Sequence, residues 1–288
     1  MENNSDIYGI IENWANDRII QKISVGGGCI SRAERLVMKS GRSYFLKSGS
    51  GNGMFIKEAD GLRELAKSGI IRIPEVLLVD DSFILMEFIG TGLKKTGFFE
   101  SFGRQFARLH RYHAERFGFY KDNYIGNSPQ KNVSGDNEAY SWPLFYLNKR
   151  LLFQLNLSEI KGYATEKLRK GFHLLENKIE TILSGSGEEP SLLHGDLWGG
   201  NYFSDERGNV VLIDPAVYYG HREVDLAMTK LFGGFSAEFY NAYHDEFPLK
   251  DGFEYREDIY KLYHVMNHLN LFGSGYYSQA ERLLWKYL

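Results

Sequence analysis

Two polar motifs, separated by an apolar run that is expected to be buried, constrain the fold and function of this chain more than any other feature. The stretch LLHGDLWGGN (192–201) places Asp196 and Asn201 five positions apart. Thirteen residues after Asn201, the apolar run VVLIDPA (210–216) contains Asp214 at its polar end. A carboxylate at the end of a buried strand is costly unless it is paired or binds a cation. The pattern therefore predicts either a catalytic loop with a metal site or a polar turn between two buried strands.

Composition limits the classes of protein that this sequence can encode. With 288 residues, 43% of them hydrophobic, the chain suits one large domain or two lobes. The formal net charge of −3 gives no electrostatic argument for nucleic acid or a membrane as the partner. No apolar run reaches the about 18 to 20 residues that span a bilayer, and MENNSDIYGI (1–10) does not resemble a signal peptide. A single cysteine, Cys29, excludes an intramolecular disulfide and a cysteine-rich zinc site, so we expect a cytoplasmic protein.

The secondary-structure patterns change near Gly90. Before it, MFIKEADGLRELAKSG (54–69) predicts a helix that stops at Gly69, and the other patterns predict strands. These strands are expected in RIIQKISVGGG (18–28), AERLVMKSG (33–41), RSYFLKSG (42–49), IPEVLLVDD (73–81) and SFILMEFIG (82–90). After Gly90, helical spacing predicts helices at 98–110 and 166–183. We therefore predict an α+β protein with a small β-rich lobe, a larger α-rich lobe and a site in the cleft between them.

Three glycines, Gly26, Gly27 and Gly28, lie between two strand-like runs. Adjacent glycines allow backbone N–H groups to approach a phosphate closely, although a flexible hairpin turn explains a triple glycine equally well.

Lys47 ends the apolar run YFLK, from which it could reach phosphate oxygens if a carboxylate held it. An isolated lysine at the end of a strand would instead be solvated.

The predicted helix 54–69 offers a carboxylate for that lysine. At about 100° per residue, Glu58 falls in the apolar sector, whereas Asp60 and Glu64 fall on the solvent side. A carboxylate on a buried face is costly unless it is paired. We therefore predict that Glu58, and not Glu64, pairs with Lys47.

Asp196 and Asn201 have the Asp-x4-Asn spacing of a protein-kinase catalytic loop. An aspartate can position a substrate hydroxyl and accept its proton, while an asparagine and a second aspartate, Asp214, can bind Mg²⁺ beside nucleotide phosphates. We interpret His194 as orienting the loop backbone. The glycine loop, the lysine, the buried glutamate and this motif occur in the order that phosphoryl transfer requires, so a chance set of turn residues is the weaker explanation.

The sequence resembles the fructosamine kinase (ketosamine 3-kinase) family, within the aminoglycoside and choline kinase-like group. The resemblance is carried by GGGCIS (26–31), EADGL (58–62), FGFYKDNYIGNSPQKN (117–132), HGDLWGGN (194–201), DPAVYYGHREVDLAM (214–228) and LYHVMNHLNLFG (262–273). SPQKN stands where many members carry Thr-Pro-Gln-x-Asn, and WGGN replaces Trp-Ser-Gly-Asn. Neither difference changes a residue with an assigned chemical role.

This resemblance implies a bilobal protein-kinase-like fold, with an ATP-binding lobe at 1–90, a catalytic and substrate-binding lobe at 91–288, and ATP and Mg²⁺ as cofactors. Asp196 would be the base, and Asn201 and Asp214 would bind the metal. Adenine would contact the backbone of a connector formed by Met86, Glu87, Phe88 and Ile89. The acceptor would be the O3 hydroxyl of a ketosamine on a protein or a free amine, which implies a role in protein deglycation.

Further polar and aromatic residues suit the substrate side. Trp198 follows the catalytic aspartate and would contact the sugar, with a core tryptophan as the alternative. His264 and His268 lie four apart on a predicted helix, together with two asparagines, but a zinc pair would lack a third ligand. We expect this cluster, and His268 in particular, to hydrogen-bond a polyhydroxyl substrate or to pack under the catalytic loop. Asp225 is expected to brace the active-site loops.

Cys29 lies in the glycine loop, where phosphate-binding amides would favour its reactive thiolate. A small residue in a turn is an equally good explanation. The alternative hypothesis is oxidation that distorts the ATP site, which makes the protein either a monomer or a homodimer linked through Cys29.

Three rival functions remain open at this point. The nearest is another small-molecule kinase, acting on an aminoglycoside, choline or a sugar. A catalytically silent ATP-binding regulator is disfavoured because the lysine, glutamate, aspartates and asparagine are all present. A metal-dependent hydrolase would leave the glycine loop and Lys47 unexplained.

Overall fold

The first part of the chain folds around one antiparallel sheet. The computed structural model describes residues 4–26, 31–50 and 52–288, and within them this sheet has five strands in the order β1-β2-β3-β5-β4. They are β1 (Ile19–Ser24), β2 (Arg32–Met38), β3 (Ser43–Ser48), β4 (Val76–Val79) and β5 (Phe83–Glu87). Four of them lie within the predicted stretches, and β2 begins one residue before its predicted stretch. Every second residue of β2 and β3 is buried, as expected for strands of this period.

A helix that the sequence analysis did not predict covers one face of this sheet. Helix α1 (Asn4–Ala15) buries Ile7 and Ile11 against Leu36 and Met38 of β2. The sequence analysis named one key helix in the first lobe, and α1 is a second one that it missed. Apolar side chains four positions apart share a helix face, and the sheet supplies the apolar surface that stabilises so short a helix.

Helix α2 (Met54–Ala66) covers the opposite face, as the apolar pattern predicted. Ala59 and Leu62 pack against Ile84 and Met86 of β5. Beyond the helix, Gly69 adopts a left-handed conformation with φ of 63°, which glycine takes without strain. The sheet is thus held between α1 and α2.

The remainder of the chain is mainly helical. Its helices are α3 (Phe98–Leu109), α4 (Asp136–Ala139), α5 (Trp142–Tyr146), α6 (Phe153–Ile160), α7 (Glu166–Glu176), α8 (Ile179–Leu183), α9 (Glu223–Leu231), α10 (Ala237–Glu246), α11 (Phe253–Phe272) and α12 (Tyr277–Trp285). Buried residues of α11 form the centre of the largest core cluster. A π-helical segment spans Leu147–Leu152, and a 3₁₀ turn spans Ser274–Tyr276. No helix within the described ranges combines the length and the apolar character needed to cross a membrane.

Short strands in the second part form two-stranded antiparallel ribbons. The strands are β6 (Asn123–Ile125), β7 (Ser128–Gln130), β8 (Ser191–Leu193), β9 (Tyr202–Ser204), β10 (Val210–Leu212) and β11 (Tyr218–Gly220). β6 pairs with β7, β8 with β11, and β9 with β10. The last two ribbons flank both polar motifs of the sequence, and they therefore determine where those motifs lie.

The structure contradicts one predicted element, the single helix at 166–183, and leaves the predicted division of the chain at residue 90 untested. The single helix expected at 166–183 is two helices, because α7 ends where the Asn177 side-chain amide donates to the His173 carbonyl, 3.2 Å away. The division of the chain at residue 90 stays a prediction. β5 ends before it at Glu87, and α3 begins after it at Phe98.

Candidate active site

Three of the predicted polar residues meet where the short ribbons end. Asp196 follows β8, Asn201 precedes β9 and Asp214 follows β10. The Asn201 side-chain amide donates to the Asp196 carbonyl oxygen at 2.8 Å and to its carboxylate at 3.3 Å. The same amide lies 3.4 Å from the Asp214 carbonyl oxygen. One asparagine thus joins both loops, and its Oδ1 is the side-chain atom left for a ligand.

Backbone conformations at these loops are unusual. Gly195 has a φ of 81°, and a Cβ atom there would lie 2.0 Å from the Ala216 carbonyl oxygen. Only glycine fits such a close approach. Asp214 has a φ of 54°, a conformation that costs a non-glycine residue about 1 to 2 kcal/mol. Strain of this kind is typical of functional sites, where the surrounding structure maintains it.

The predicted lysine–glutamate pair is present in the structure. Lys47 Nζ on β3 lies 2.7 Å from Glu58 Oε1 on α2, and it also contacts the Asp214 carboxylate. Burial alone would lower the pKa of Lys47, but the charges of the two carboxylates outweigh it and raise that pKa. The lysine is therefore a fixed cation that faces the catalytic loops.

Electrostatics also distinguish the two aspartates. Burial and the nearby Asp214 carboxylate raise the pKa of Asp196 well above its ordinary range. The Asp214 side chain is 44% exposed and has Lys47 as its counter-ion. A carboxyl group with a raised pKa is suited to take up a proton, and an accessible carboxylate is suited to bind a cation.

The buried Asp225 carboxylate accepts hydrogen bonds from the backbone of the loop that carries Asp196, as expected. Asp225 on α9 accepts hydrogen bonds from the backbone N–H groups of His194 at 2.7 Å and Gly195 at 2.8 Å. His110 contacts the same carboxylate at 3.2 Å. Burial would raise the pKa of Asp225, but these hydrogen bonds and charges lower it, so the group stays ionised. The His194 ring donates to the Ile213 carbonyl at 2.9 Å, which is the structural role predicted for it.

Two of the four connector residues border a cavity. Met86 and Glu87 end β5, while Phe88 and Ile89 follow that strand. The Met86 side chain is buried against α2, so only its backbone can face a ligand. A cavity of about 440 Å³ adjoins Phe88 and Ile89, and the Arg35 guanidinium lies 4.3 Å above the Phe88 ring. The assignment of these residues to adenine stays a prediction.

The glycine loop lies mostly outside the described residues. Gly26 follows β1 and is exposed. Gly27, Gly28 and Cys29 are not among the residues that the structure describes. The phosphate-binding role of the loop and the redox hypothesis for Cys29 both stay predictions.

The predicted substrate residues Trp198 and His268 lie on one aromatic surface. Trp198 is 42% exposed, so the alternative of a core tryptophan is wrong. Its ring lies 6.5 Å from that of Phe232, which lies 4.8 Å from the His268 ring. The chain therefore brings together two residues that are 70 positions apart in the sequence.

The two asparagines of the predicted polar cluster around His264 and His268, Asn267 and Asn270, form hydrogen bonds between two helices. Asn270 donates to Gln154 of α6 at 2.8 Å and accepts from Ser158 at 2.9 Å, while Asn267 accepts from Gln154 at 3.3 Å. The expectation that these asparagines face a substrate or the catalytic loop was wrong, because they join α11 to α6. In the described part of the chain, no group of three histidine, cysteine or acidic residues is arranged to bind a metal.

One prediction about α2 was also wrong. Glu64, expected to face solvent, is buried and accepts a hydrogen bond from the Tyr219 hydroxyl at 2.9 Å. Gly61 lies directly over the segment after Asp214, where an added Cβ would be 3.3 Å from Val217. Helix α2 therefore packs against both the sheet and the second lobe.

The β6–β7 hairpin was missed as part of the site. The Asn123 amide donates to the Val217 carbonyl at 2.8 Å, and the Gln130 amide donates to the Ala216 carbonyl at 2.9 Å. The side-chain amide oxygen of Gln130 accepts from the Tyr263 hydroxyl of α11 at 2.7 Å. The available signal was the concentration of polar residues in 117–132, which also carried the family resemblance. The hairpin fixes the backbone immediately after Asp214.

Substitution of Tyr219 by phenylalanine is expected to weaken nucleotide binding. Loss of the hydrogen bond to Glu64 frees α2, and with it the Glu58 that holds Lys47. We expect the KM for ATP to rise about three- to tenfold and the free energy of unfolding to fall by about 1 to 3 kcal/mol. Steady-state kinetics and urea denaturation measure the two effects.

A matched control is Tyr146→Phe. It removes a buried hydroxyl that donates to the Tyr260 carbonyl at 3.1 Å, away from α2. We expect Tyr146→Phe to lower stability without changing the KM for ATP. Equal KM values for the two variants would show that the Tyr219 hydroxyl is merely structural.

Comparisons with known proteins identify relatives of this chain. The family model described as fructosamine kinase matches residues 7–288. The chain is 41% identical over 274 residues to the protein-ribulosamine 3-kinase, chloroplastic, of Oryza sativa subsp. indica, a match that covers 92% of this chain and 78% of that protein. The crystal structure of a Thermobifida fusca protein assigned as a fructosamine-3-kinase is similar, with a TM-score of 0.85, 30% identity and 96% coverage of each chain.

A more distant similarity concerns the fold. An aminoglycoside phosphotransferase in a complex with streptomycin and ATP has a TM-score of 0.65 at 14% identity, covering 99% of this chain and 97% of that chain. At this identity the similarity shows the fold alone. Together with the sheet and the helical second lobe, it confirms the predicted bilobal, protein-kinase-like α+β fold.

Proposed function

This chain belongs to the fructosamine kinase family, and we propose that it is an ATP-dependent kinase that phosphorylates the O3 hydroxyl of ketosamines. The acceptor would be carried by a protein or by a free amine, and the role would be protein deglycation in the cytoplasm. The observation that carries the proposal is the meeting of Lys47, the Asp196–Asn201 loop and Asp214, which come from three separate segments of the chain.

The two lobes would divide the work of phosphoryl transfer. Lys47, held by Glu58, would bind phosphate oxygens of ATP, and Asp196 would accept the proton of the attacking hydroxyl. Because Asp225 fixes the loop backbone, the Asp196 carboxylate meets the substrate in one orientation. Such positioning supplies most of the catalysis in phosphoryl transfer, since the protein forms no covalent bond to the phosphoryl group.

The residues present fit Mg²⁺. The Asp214 carboxylate and the Asn201 Oδ1 atom are hard oxygen ligands, and Mg²⁺ commonly takes one or two such protein ligands while phosphates and water supply the rest. When bound, the cation would neutralise charge on the transferred phosphate. Lys47 and Asp214, which contact each other in this structure, would then turn to phosphate and cation respectively.

The rival functions receive less support. The similarity to aminoglycoside phosphotransferases extends to the fold only, which gives no reason to prefer their acceptors. A silent regulator would not need a glycine at 195, a strained Asp214 and a bracing Asp225, all of which serve the geometry of catalysis.

The test is ATP consumption with Mg²⁺ on a ribulosamine, a fructosamine, an aminoglycoside and choline. We expect turnover on the ketosamines alone, and loss of that turnover when a chelator removes the metal. Turnover restricted to the aminoglycoside or choline would overturn the acceptor assignment. ATP binding without turnover on any acceptor would favour a regulator. Conversion of an acceptor in a parallel reaction without ATP, detected by product analysis, would favour a hydrolase.

A further inference from the structure

A contiguous set of five aromatic rings, three of them exposed and two half-buried, begins at the loop that carries Asp196. We name this surface the aromatic row, and its members are Trp198, Phe232, His268, Phe272 and Tyr276. Successive ring centroids are separated by 6.5 Å (Trp198–Phe232), 4.8 Å (Phe232–His268) and 5.4 Å (His268–Phe272), and the Tyr276 ring lies 5.2 Å from that of His268. The rings come from the catalytic loop, the end of α9, the end of α11 and the 3₁₀ turn after it.

Local packing does not account for the exposure of this row. Trp198 and Phe232 are each 42% exposed, and Phe272 is 64% exposed. Single exposed rings are ordinary on protein surfaces, but a contiguous set assembled from separate segments is typical of a binding surface. The ring of His268 is fixed at the centre of the row, because its Nδ1–H donates to the His264 carbonyl at 2.8 Å. The surface is therefore preformed.

The aromatic row starts at Trp198, two residues after Asp196, so it lies beside the place where the acceptor would react. This position indicates which part of a ketosamine the row binds. In a ketosamine, the reacting hydroxyl is on C3 and the amine is on C1 of the same sugar, so the amine substituent leaves the site beside the reacting end. That amine is a cation, and aromatic faces attract cations. Burial lowers the pKa of His268, so its ring stays neutral and does not repel the amine. A lysine carrier would continue from the amine as an apolar four-carbon stem.

We propose that Phe272 and Tyr276 bind the carrier of the ketosamine, namely the alkyl stem of a modified lysine and its adjoining peptide. The inner rings would contact the sugar and its amine, and the outer rings would select ketosamines on lysine over those on small amines. This inference rests on the proposed function. The inference goes beyond the proposed function because it gives the carrier its own binding surface and names a class of preferred substrate.

The test compares two substrates that share one sugar. One is the ketosamine on a lysine within a short peptide, and the other is the ketosamine of methylamine. We expect Phe272→Ala to lower kcat/KM about five- to tenfold on the peptide, through KM, and to leave the methylamine substrate within about twofold. Because Phe272 is 64% exposed, its replacement should not unfold the protein, and thermal denaturation checks this.

The matched control is Tyr255→Ala. Tyr255 is 49% exposed on the same helix α11, 17 residues away, which corresponds to about 25 Å. We expect this control to change neither substrate, and Phe272→Leu to retain part of the peptide preference. Equal losses on the two substrates, or no loss on either, would overturn the carrier surface while leaving the kinase intact. Absence of turnover on every ketosamine by the unchanged protein would overturn both proposals.

Discussion

Asp196→Asn is expected to reduce ketosamine turnover by about 10²- to 10⁴-fold while the affinity for ATP stays within about twofold. The amide preserves the size of the side chain, but it cannot take the proton of the attacking hydroxyl. In the proposed mechanism the nucleotide is bound elsewhere, by Lys47 and the residues of the first lobe, so its binding should survive. Steady-state kinetics measure the first effect, and calorimetric titration with ATP measures the second.

Variants of the nucleotide and metal residues provide the contrast. Lys47→Ala removes the cation that Glu58 holds, and Asp214→Ala removes the accessible carboxylate. We expect both to raise the ATP or Mg²⁺ concentration that half-saturates the enzyme, which Asp196→Asn should not do. Turnover by Asp196→Asn near that of the unchanged protein would refute the assignment of the base.

Local patterns predicted the elements whose partners are close in sequence. Strands β2 and β3 follow a period of two, and the Lys47–Glu58 pair joins neighbouring elements, so a helical wheel was enough to choose Glu58. The catalytic motifs were also predictable, because the spacing of Asp196, Asn201 and Asp214 is fixed by two short ribbons. Local chemistry was sufficient in each case.

Two of the errors share one physical cause, which is burial by distant segments. Glu64 was assigned to solvent because its partner, Tyr219, lies 155 residues later in the chain. Asn270 was expected to face a substrate or the catalytic loop because its partner, Gln154, lies 116 residues earlier. A helical wheel shows which face of a helix is apolar, but it cannot show that a second surface covers a polar face and satisfies its hydrogen bonds.

The same reasoning makes Asp225 the position where one substitution should be most damaging to the fold. Asp225→Asn replaces one carboxylate oxygen with an NH₂ group, so the N–H of either His194 or Gly195 faces a donor. A buried donor without an acceptor costs about 1 to 3 kcal/mol, and loss of the charge that the other bonds share adds to this. We expect the free energy of unfolding to fall by about 3 to 5 kcal/mol.

Activity and stability should fall together in Asp225→Asn, and this separates it from Asp196→Asn, which should lose activity alone. Urea denaturation gives the stability, and kcat at a temperature where the variant is folded gives the activity, expected to fall about 100-fold because the loop that carries Asp196 is no longer fixed. Asp245→Asn, with a side chain 65% exposed, is the control and should change neither quantity. If Asp225→Asn were as stable as the unchanged protein and retained most of its kcat, the catalytic loop would hold its shape without this carboxylate. The position of the Asp196 base would then have to be explained by the Asn201 amide and the His194 ring alone.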